Sequence, residues 1–386
     1  MGEKPNYQKV PVNELKNGMW ICRLDSDVNE GSFETCGFVF SSQQPDRLGS
    51  VCRYVYIDAN RSSFLSDIPV SHETLLEARK LYLNLRTQMD RVMSDIRMGN
   101  ALQQKRMRTV LQDLMESVLH DSKSMVYLAL LREHQDELVF KAVNVAVLSL
   151  VFAKHIGLRQ DQLLPLGMGA LLHPVGLLKV PVEVLNKTEP LSEDEKEMIR
   201  QYPSRGYDYL KQQSHFDEDT LDIVLHHQER TNGEGYPDRL KGKTISFLSR
   251  MVAITSVYEA LTRNRSYRQA LSPPKALGQL YRWRFHDFDA RLVEKFIQSL
   301  GVYPPGCLVE LNTGALAVVH ATHPDQRLNP QVRLLTSGSL EPLEVQEFID
   351  LAEDEQLDIR KALDPQDPRL DKLLKQIMEK HPGFPV

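Results

Sequence analysis

Twelve consecutive residues, His226-His227-Gln228-Glu229-Arg230-Thr231-Asn232-Gly233-Glu234-Gly235-Tyr236-Pro237, set two imidazoles beside a Gly-Tyr-Pro turn. A neutral imidazole donates nitrogen to divalent cations, so such a pair points to metal chemistry. Adjacent residues of a helix project about 100° apart, however, which keeps two neighbours from serving one simple site. His173 lies among apolar residues in Leu171-Leu172-His173-Pro174-Val175-Gly176, a setting that suits a hydrogen-bonded core histidine as well as a ligand. Arg265 and Arg268, three residues apart and flanking Tyr267, share one face if helical. That face is either a solvated basic surface or an anion site, because guanidinium offers phosphate a planar pair of donors. The glycines of the loop lack the lysine pattern of a P-loop. Ser256 carries no signal of a nucleophile, and Lys105-Arg106-Met107-Arg108 reads as a solvated helix face.

The segment from His226 to Pro237 resembles the signature of the HD-GYP family, bacterial metal-dependent phosphodiesterases that degrade cyclic di-GMP. The resemblance covers residues 130 to 300 and, less specifically, most of the rest. Sites of this kind hold two or three cations with His and carboxylates; the cations activate water and stabilise charge on the phosphate. The resemblance implies a ligand set, and this chain departs from it at several positions. His173 is kept, but proline 174 stands where the bridging aspartate belongs and has no ligand atom. Leu177 replaces a lysine, with Lys179 displaced by two. The ligand histidine of the early helix falls at Lys141, four residues after Glu137. A lone histidine falls at Tyr202. His227 matches the first histidine of the pair, Gln228 the second, and Ser256 a later aspartate, while Glu259 conservatively replaces a second acidic residue. The residual metal ligands are therefore His173, His227 and Glu137, enough for no cofactor or for a single iron or manganese ion. Lys141 would repel even one. The loop is better kept: Gly233, Gly235, Tyr236 and Pro237 are implied as a partner surface. Tyr236, Arg265, Tyr267 and Arg268 match residues that meet the nucleotide, and Arg250 belongs to the same stretch.

The expectation is a degenerate HD-GYP signalling protein, without metal-dependent hydrolysis, that senses cyclic di-GMP, binds a protein partner such as a GGDEF-type diguanylate cyclase, or both. An active phosphodiesterase with a rearranged metal site is one alternative. A structural adaptor that binds no nucleotide is another.

These residues need a scaffold, and the pattern around them predicts one that is mainly α. An HD-type helical core is expected over residues 121–300, with a helical connector over 69–120. A small β-rich domain (1–68) precedes them and a short β-hairpin extension with a charged tail (301–386) follows. Trp20–Leu24 and Tyr54–Asp58 read as strands, within a segment resembling the small domain that often precedes HD-GYP domains. Leu81, Leu85, Met89, Val92 and Ile96 form a helical stripe, Gly99-Asn100 a break, and Met107, Val110, Leu111, Leu114, Met115 and Val118 a second stripe. The pair either packs on the next domain or, over residues 71–120, joins two copies of the chain. Asp136–Ile156 and Leu248–Thr262 read as buried helices, Leu163–Val180 as a core helix and turn, and Ser192-Glu193-Asp194-Glu195 as a capping box. Leu308–Leu311 and Ala317–Val319 make a hairpin around Asn312-Thr313-Gly314, with Gln331–Leu335 a third strand and the last forty residues partly helical.

The 386 residues suffice for two or three domains. With a net charge of -5, no global field draws the chain to nucleic acid or an anionic membrane. Cys22, Cys36, Cys52 and Cys307 form no C-x-x-C pair, which removes zinc-ribbon and thioredoxin readings. Stretches such as Val145–Ala153 are too short for a membrane span. The expected location is the cytoplasm.

Overall fold

The computed structural model describes residues 7–11, 20–25, 38–39, 54–58, 72–130, 138–185, 187, 189–213, 216–263, 269–323, 326, 328–343, 347–354, 356–364, 367 and 370. Both expected N-terminal strands are present, as β2 (Trp20–Asp25) and β4 (Tyr54–Asp58). With β1 (Tyr7–Pro11) and β3 (Phe38–Val39) they form an antiparallel sheet of order β1-β4-β2-β3.

The two striped helices follow as His72–Arg97 and Gln104–His120, separated at Gly99-Asn100. Their apolar faces belong to this chain's own core: Leu85, Met89, Val92, Ile96, Met107, Val110, Leu111, Leu114 and Val118 are all buried in one cluster with the helices that follow. One position differs from the stripe. Leu81 is exposed, and Tyr82 takes the inward place, its hydroxyl donating to Asn144 Oδ1. An aromatic ring with a polar tip reaches deep into the core only where that tip finds an acceptor, which is what Asn144 provides.

Leu138–His155 runs through the middle of the core, buried from Val139 to Ala153 apart from Lys141. It is apolar all round, as a helix enclosed on every side must be. Its 18 residues have a mean hydropathy of 1.6, so by length and composition it passes for a membrane span, a longer apolar helix than its most apolar stretch suggests; 78% of it is buried inside this chain. Ser149 and Thr255 hydroxyls meet at 2.8 Å and tie it to the helix Phe247–Thr262. Ser122–Leu130, Gln160–Leu172 and Ala290–Leu300 pack against it; Glu218–His226 packs on Gln160–Leu172, Tyr202–Lys211 on Glu218–His226, and Pro273–Trp283 on Phe247–Thr262. Shorter helices, Val182–Leu185 and Glu193–Arg200, lie between. The capping box expected at Ser192 is formed in both directions with Glu195.

The expected C-terminal hairpin, β5 (Leu308–Leu311) and β6 (Leu316–Ala321), is the centre of a five-stranded antiparallel sheet of order β8-β7-β6-β5-β9. β7 is Gln331–Leu334, the third strand expected. β8 (Phe348–Asp350) and β9 (Ile359–Ala362) occupy a stretch whose charges suggested a polar, partly helical tail. The charges have a strand's purpose: Lys361 lies opposite Glu310 in the ladder, and Arg360 and Lys361 reach the buried Glu310 carboxylate at 3.1 and 3.6 Å. Residues 371–386 lie outside the described residues. Strand alternation gives the sheet two faces. Leu316 and Val318 join the helical core, while Val309, Ala317, Val319 and Val332 make a small core of their own.

Candidate functional site: a histidine pocket and its loop

Helix Gln160–Leu172 ends at His173, and Pro174 opens the 3-10 turn Val175–Lys179 by accepting from Leu177 N–H at 2.9 Å. Proline fits this junction, where no N–H is required of it. His173 is fully buried and its Nδ1–H donates to Ala170 O at 2.7 Å, which leaves the Nε2 lone pair facing inward with no hydrogen-bond partner. His227 caps the end of helix Glu218–His226, and its Nδ1–H donates to Val224 O at 2.9 Å and Ile223 O at 3.1 Å. The two imidazoles meet edge to face, with centroids 4.9 Å apart.

Tyr202, at the start of its helix, is buried against His227 with ring centroids 5.4 Å apart. Its hydroxyl donates to His227 Nε2 at 2.5 Å and accepts from Gln228 Nε2 at 2.8 Å. Lys141 Nζ stands 5.9 Å from the Tyr202 ring centroid. Burial first, then the His227 and Lys141 charges, hold the His173 pKa well below the ordinary range. Burial and Lys141 lower that of His227 to about 3. The His227 ring is therefore neutral at neutral pH.

Five positions that the resemblance matches to ligand positions thus lie together: Lys141, His173, Tyr202, His227 and Gln228. Glu137, Arg265, Tyr267 and Arg268 lie outside the described residues. Ser256 is buried in its helix. Arg250 is paired with Asp289 at 2.5 Å and donates to Ile245 O at 3.1 Å, a link between helices. Among the described residues, the pocket offers few donors to a metal. One imidazole nitrogen is open, the other is engaged by Tyr202, and Pro174 supplies nothing to bridge two cations. Among the described residues, the one group of His, Cys and carboxylate donors close enough to share an ion is Glu234, His286 and Asp287, on the surface. There the Asn232 amide nitrogen already lies 3.0 Å from Glu234 Oε2, 3.0 Å from His286 Nδ1 and 3.1 Å from Asp287 Oδ1.

The adjacent histidines divide as helical geometry requires, and His226 serves the loop. Its ring bridges Asp222 Oδ1 at 2.6 Å and Asp238 Oδ2 at 3.0 Å. Burial lowers the pKa of His226, but hydrogen bonds to the two carboxylates outweigh it and the net shift is upward. Glu229, which the sequence reading passed over, is the loop's inner anchor: buried, it accepts from Asp238 N–H at 2.7 Å and Leu240 N–H at 3.2 Å. Its signal is an acidic residue opening a turn-rich segment whose backbone donors have no ladder to join. Gly235 is buried because the chain folds back on itself there: a Cβ would lie 2.4 Å from both Arg230 N and Glu229 Cα. Tyr236–Pro237 is a cis peptide. Gly233, Tyr236 and Pro237 are half-buried, and Glu234, Asp238 and Arg239 are exposed. Thr231 N–H and hydroxyl bind Asp287 O and His286 O, both at 3.0 Å, so the loop is also tied to the turn after Trp283.

Three family models match in series. A domain of unknown function matches residues 7–107, the HD domain 115–292, and a KOW domain associated with HD domains 308–370. The chain is 28% identical over 375 residues to the cyclic di-GMP phosphodiesterase PA4108 of Pseudomonas aeruginosa, covering 91% of this chain and 90% of that one. It is 36% identical over 148 residues to the cyclic di-GMP phosphodiesterase response regulator RpfG of Xanthomonas campestris pv. campestris; the match takes in 38% of this chain and only 39% of that protein. Among solved structures, the HDG"Y"P protein Bd1817 from Bdellovibrio bacteriovorus shares the fold, with a TM-score of 0.50 at 15% identity, covering 75% of this chain and 98% of that one.

Proposed function

On the premise that this chain belongs to the HD-GYP family of HD-domain proteins, we propose that it acts by binding and has set aside the phosphodiesterase activity after which its relatives are named. The observation carrying this reading is the donor set around His173 and His227: no carboxylate of the described residues joins them within reach of a common ion. The most direct test pairs metal analysis with turnover. The purified chain is expected to contain well under one iron or manganese per molecule and to leave cyclic di-GMP intact. Near-stoichiometric metal together with formation of pGpG or GMP would sink the proposal. Pro174→Asp alone is expected to remain inactive, because Lys141, Tyr202, Gln228 and Ser256 still offer no replacement ligands.

What it binds follows from the parts that are kept. Cyclic di-GMP is the proposed ligand, with Arg265 and Arg268 as the proposed phosphate donors and Tyr267 and Tyr236 as further contacts, as the resemblance implies. Calorimetry on the whole chain is expected to register binding, and Arg265→Ala to weaken it about tenfold, the size of one charge-assisted contact. Unchanged affinity would remove Arg265 from the site. The loop around Gly233, Gly235, Tyr236 and Pro237, with Glu234, Asp238 and Arg239 outermost, is the proposed surface for a signalling protein such as a GGDEF-type cyclase. A second reading, an active enzyme on a single-ion site, has one observation in its favour: the open, buried lone pair of His173 Nε2.

A further inference from the structure

We propose that Tyr202 and Lys141 together replace a metal ion inside the histidine pocket: the Tyr202 hydroxyl takes the lone pair of His227, and the Lys141 ammonium supplies the positive charge. The proposal rests on the binding reading above, and it concerns what fills the pocket and how the helices around it are held. A cation among histidines does two separable things. It accepts nitrogen lone pairs, and its charge draws together the elements that carry them.

The first task falls to a chain of donors that all point one way. Gln228 Nε2 donates to the Tyr202 hydroxyl at 2.8 Å, the hydroxyl donates to His227 Nε2 at 2.5 Å, and His227 Nδ1–H donates to Val224 O at 2.9 Å. Each bond polarises the next, and the last acceptor is the end of a helix. The second task falls to Lys141, whose Nζ stands 5.9 Å from the Tyr202 ring centroid. These contacts link three elements: the central helix through Lys141, the Tyr202–Lys211 helix, and the end of Glu218–His226. His173 packs its ring on His227 from the adjoining turn. His173, Tyr202 and His227 are all buried, and Lys141 and Gln228 are half-buried.

Thermal unfolding of the whole chain tests this without any nucleotide, so its outcome is independent of whether cyclic di-GMP binds or is cleaved. Wild-type protein is expected to shift by less than about 1 °C between EDTA and added Mn²⁺ or Zn²⁺, since an ion with no site adds no stability. A Tyr202→Phe, Lys141→Met double variant vacates both roles. It is expected to melt lower in EDTA and to recover by about 3 °C or more with Zn²⁺, a recovery removed by adding His173→Ala. A wild-type chain that loses several degrees in EDTA overturns the proposal. So does a double variant as stable as wild type and indifferent to both ions. Should the double variant fail to fold, Tyr202→Phe alone is read by the ¹⁵N shift of His227 Nε2. Movement toward the free-imidazole value is expected, and an unchanged shift counts against the hydroxyl's role.

Discussion

Gly176→Ala is expected to abolish the folded helical core. A Cβ at Gly176 would sit 1.8 Å from Tyr202 O and 2.8 Å from Gly206 N, so the obstacle is backbone and no side chain can swing aside. The 3-10 turn would have to part from the Tyr202–Lys211 helix, opening the contact that seats Tyr202 against His227. Disruption of packed backbone belongs with the largest single-residue effects, above about 4 kcal/mol, against a total stability of about 5–15 kcal/mol for a domain. Urea unfolding followed by circular dichroism is the measurement, with Gly278→Ala as control. Nothing lies within 4 Å of a Cβ at Gly278, in the interior of its helix, so alanine there should be neutral or stabilising by up to about 1 kcal/mol. A Gly176→Ala protein with the wild-type midpoint would show that this contact is not required.

The second large effect is local. Glu229 is buried and accepts two backbone N–H groups with its two oxygens. Glutamine keeps the shape but turns an NH₂ toward one of those donors, so Glu229→Gln leaves a buried N–H facing another. Unmaking a charge-assisted bond and stranding a donor costs about 2–4 kcal/mol. Because the loop lies over the core without forming it, the loss should appear as local opening. Hydrogen exchange at the Asp238 and Leu240 amides is expected to accelerate on the order of 100-fold or more, with amides of the Leu138–His155 helix unaffected. Equal acceleration in both places would mean that Glu229 supports the whole fold.

How much of this was legible in the sequence depends on the range of the interaction that decides each feature. The striped helices, the break at Gly99-Asn100 and the Ser192 capping box are decided within a few residues and emerge as expected. Leu81 and Tyr82 show where periodicity stops: which of two neighbours turns inward was settled by Asn144, 62 residues away from Tyr82. β8 and β9 escaped because edge strands of three and four residues carry little apolar signal, and the charges of β9 answer Glu310 on another strand. In the pocket, matching the chain to the family's ligand positions grouped Lys141, His173, Tyr202, His227 and Gln228. It could describe Tyr202 only as a missing ligand; that the phenol hydroxyl bonds His227 depends on a partner 25 residues on. Glu229 is the reverse case, a short-range anchor hidden because a carboxylate in a polar loop looks like any other.

The central helix has a consequence for how the chain is made. Leu138–His155 emerges from the ribosome as an apolar segment of membrane-span hydropathy, well before the last of the residues that enclose it. Its polar tie to Phe247–Thr262 joins Ser149 to Thr255, 106 residues later. At roughly 5–20 residues per second, that interval lasts on the order of 5–20 s. During it, the helix has the two preceding striped helices, Ser122–Leu130 and then Gln160–Leu172 to shelter against, while the side that Phe247–Thr262 closes stays open. Those N-terminal helices therefore have a temporal duty as well as a place in the finished core: they are the first cover available to a segment that chaperones and membrane-insertion machinery would otherwise compete to bind.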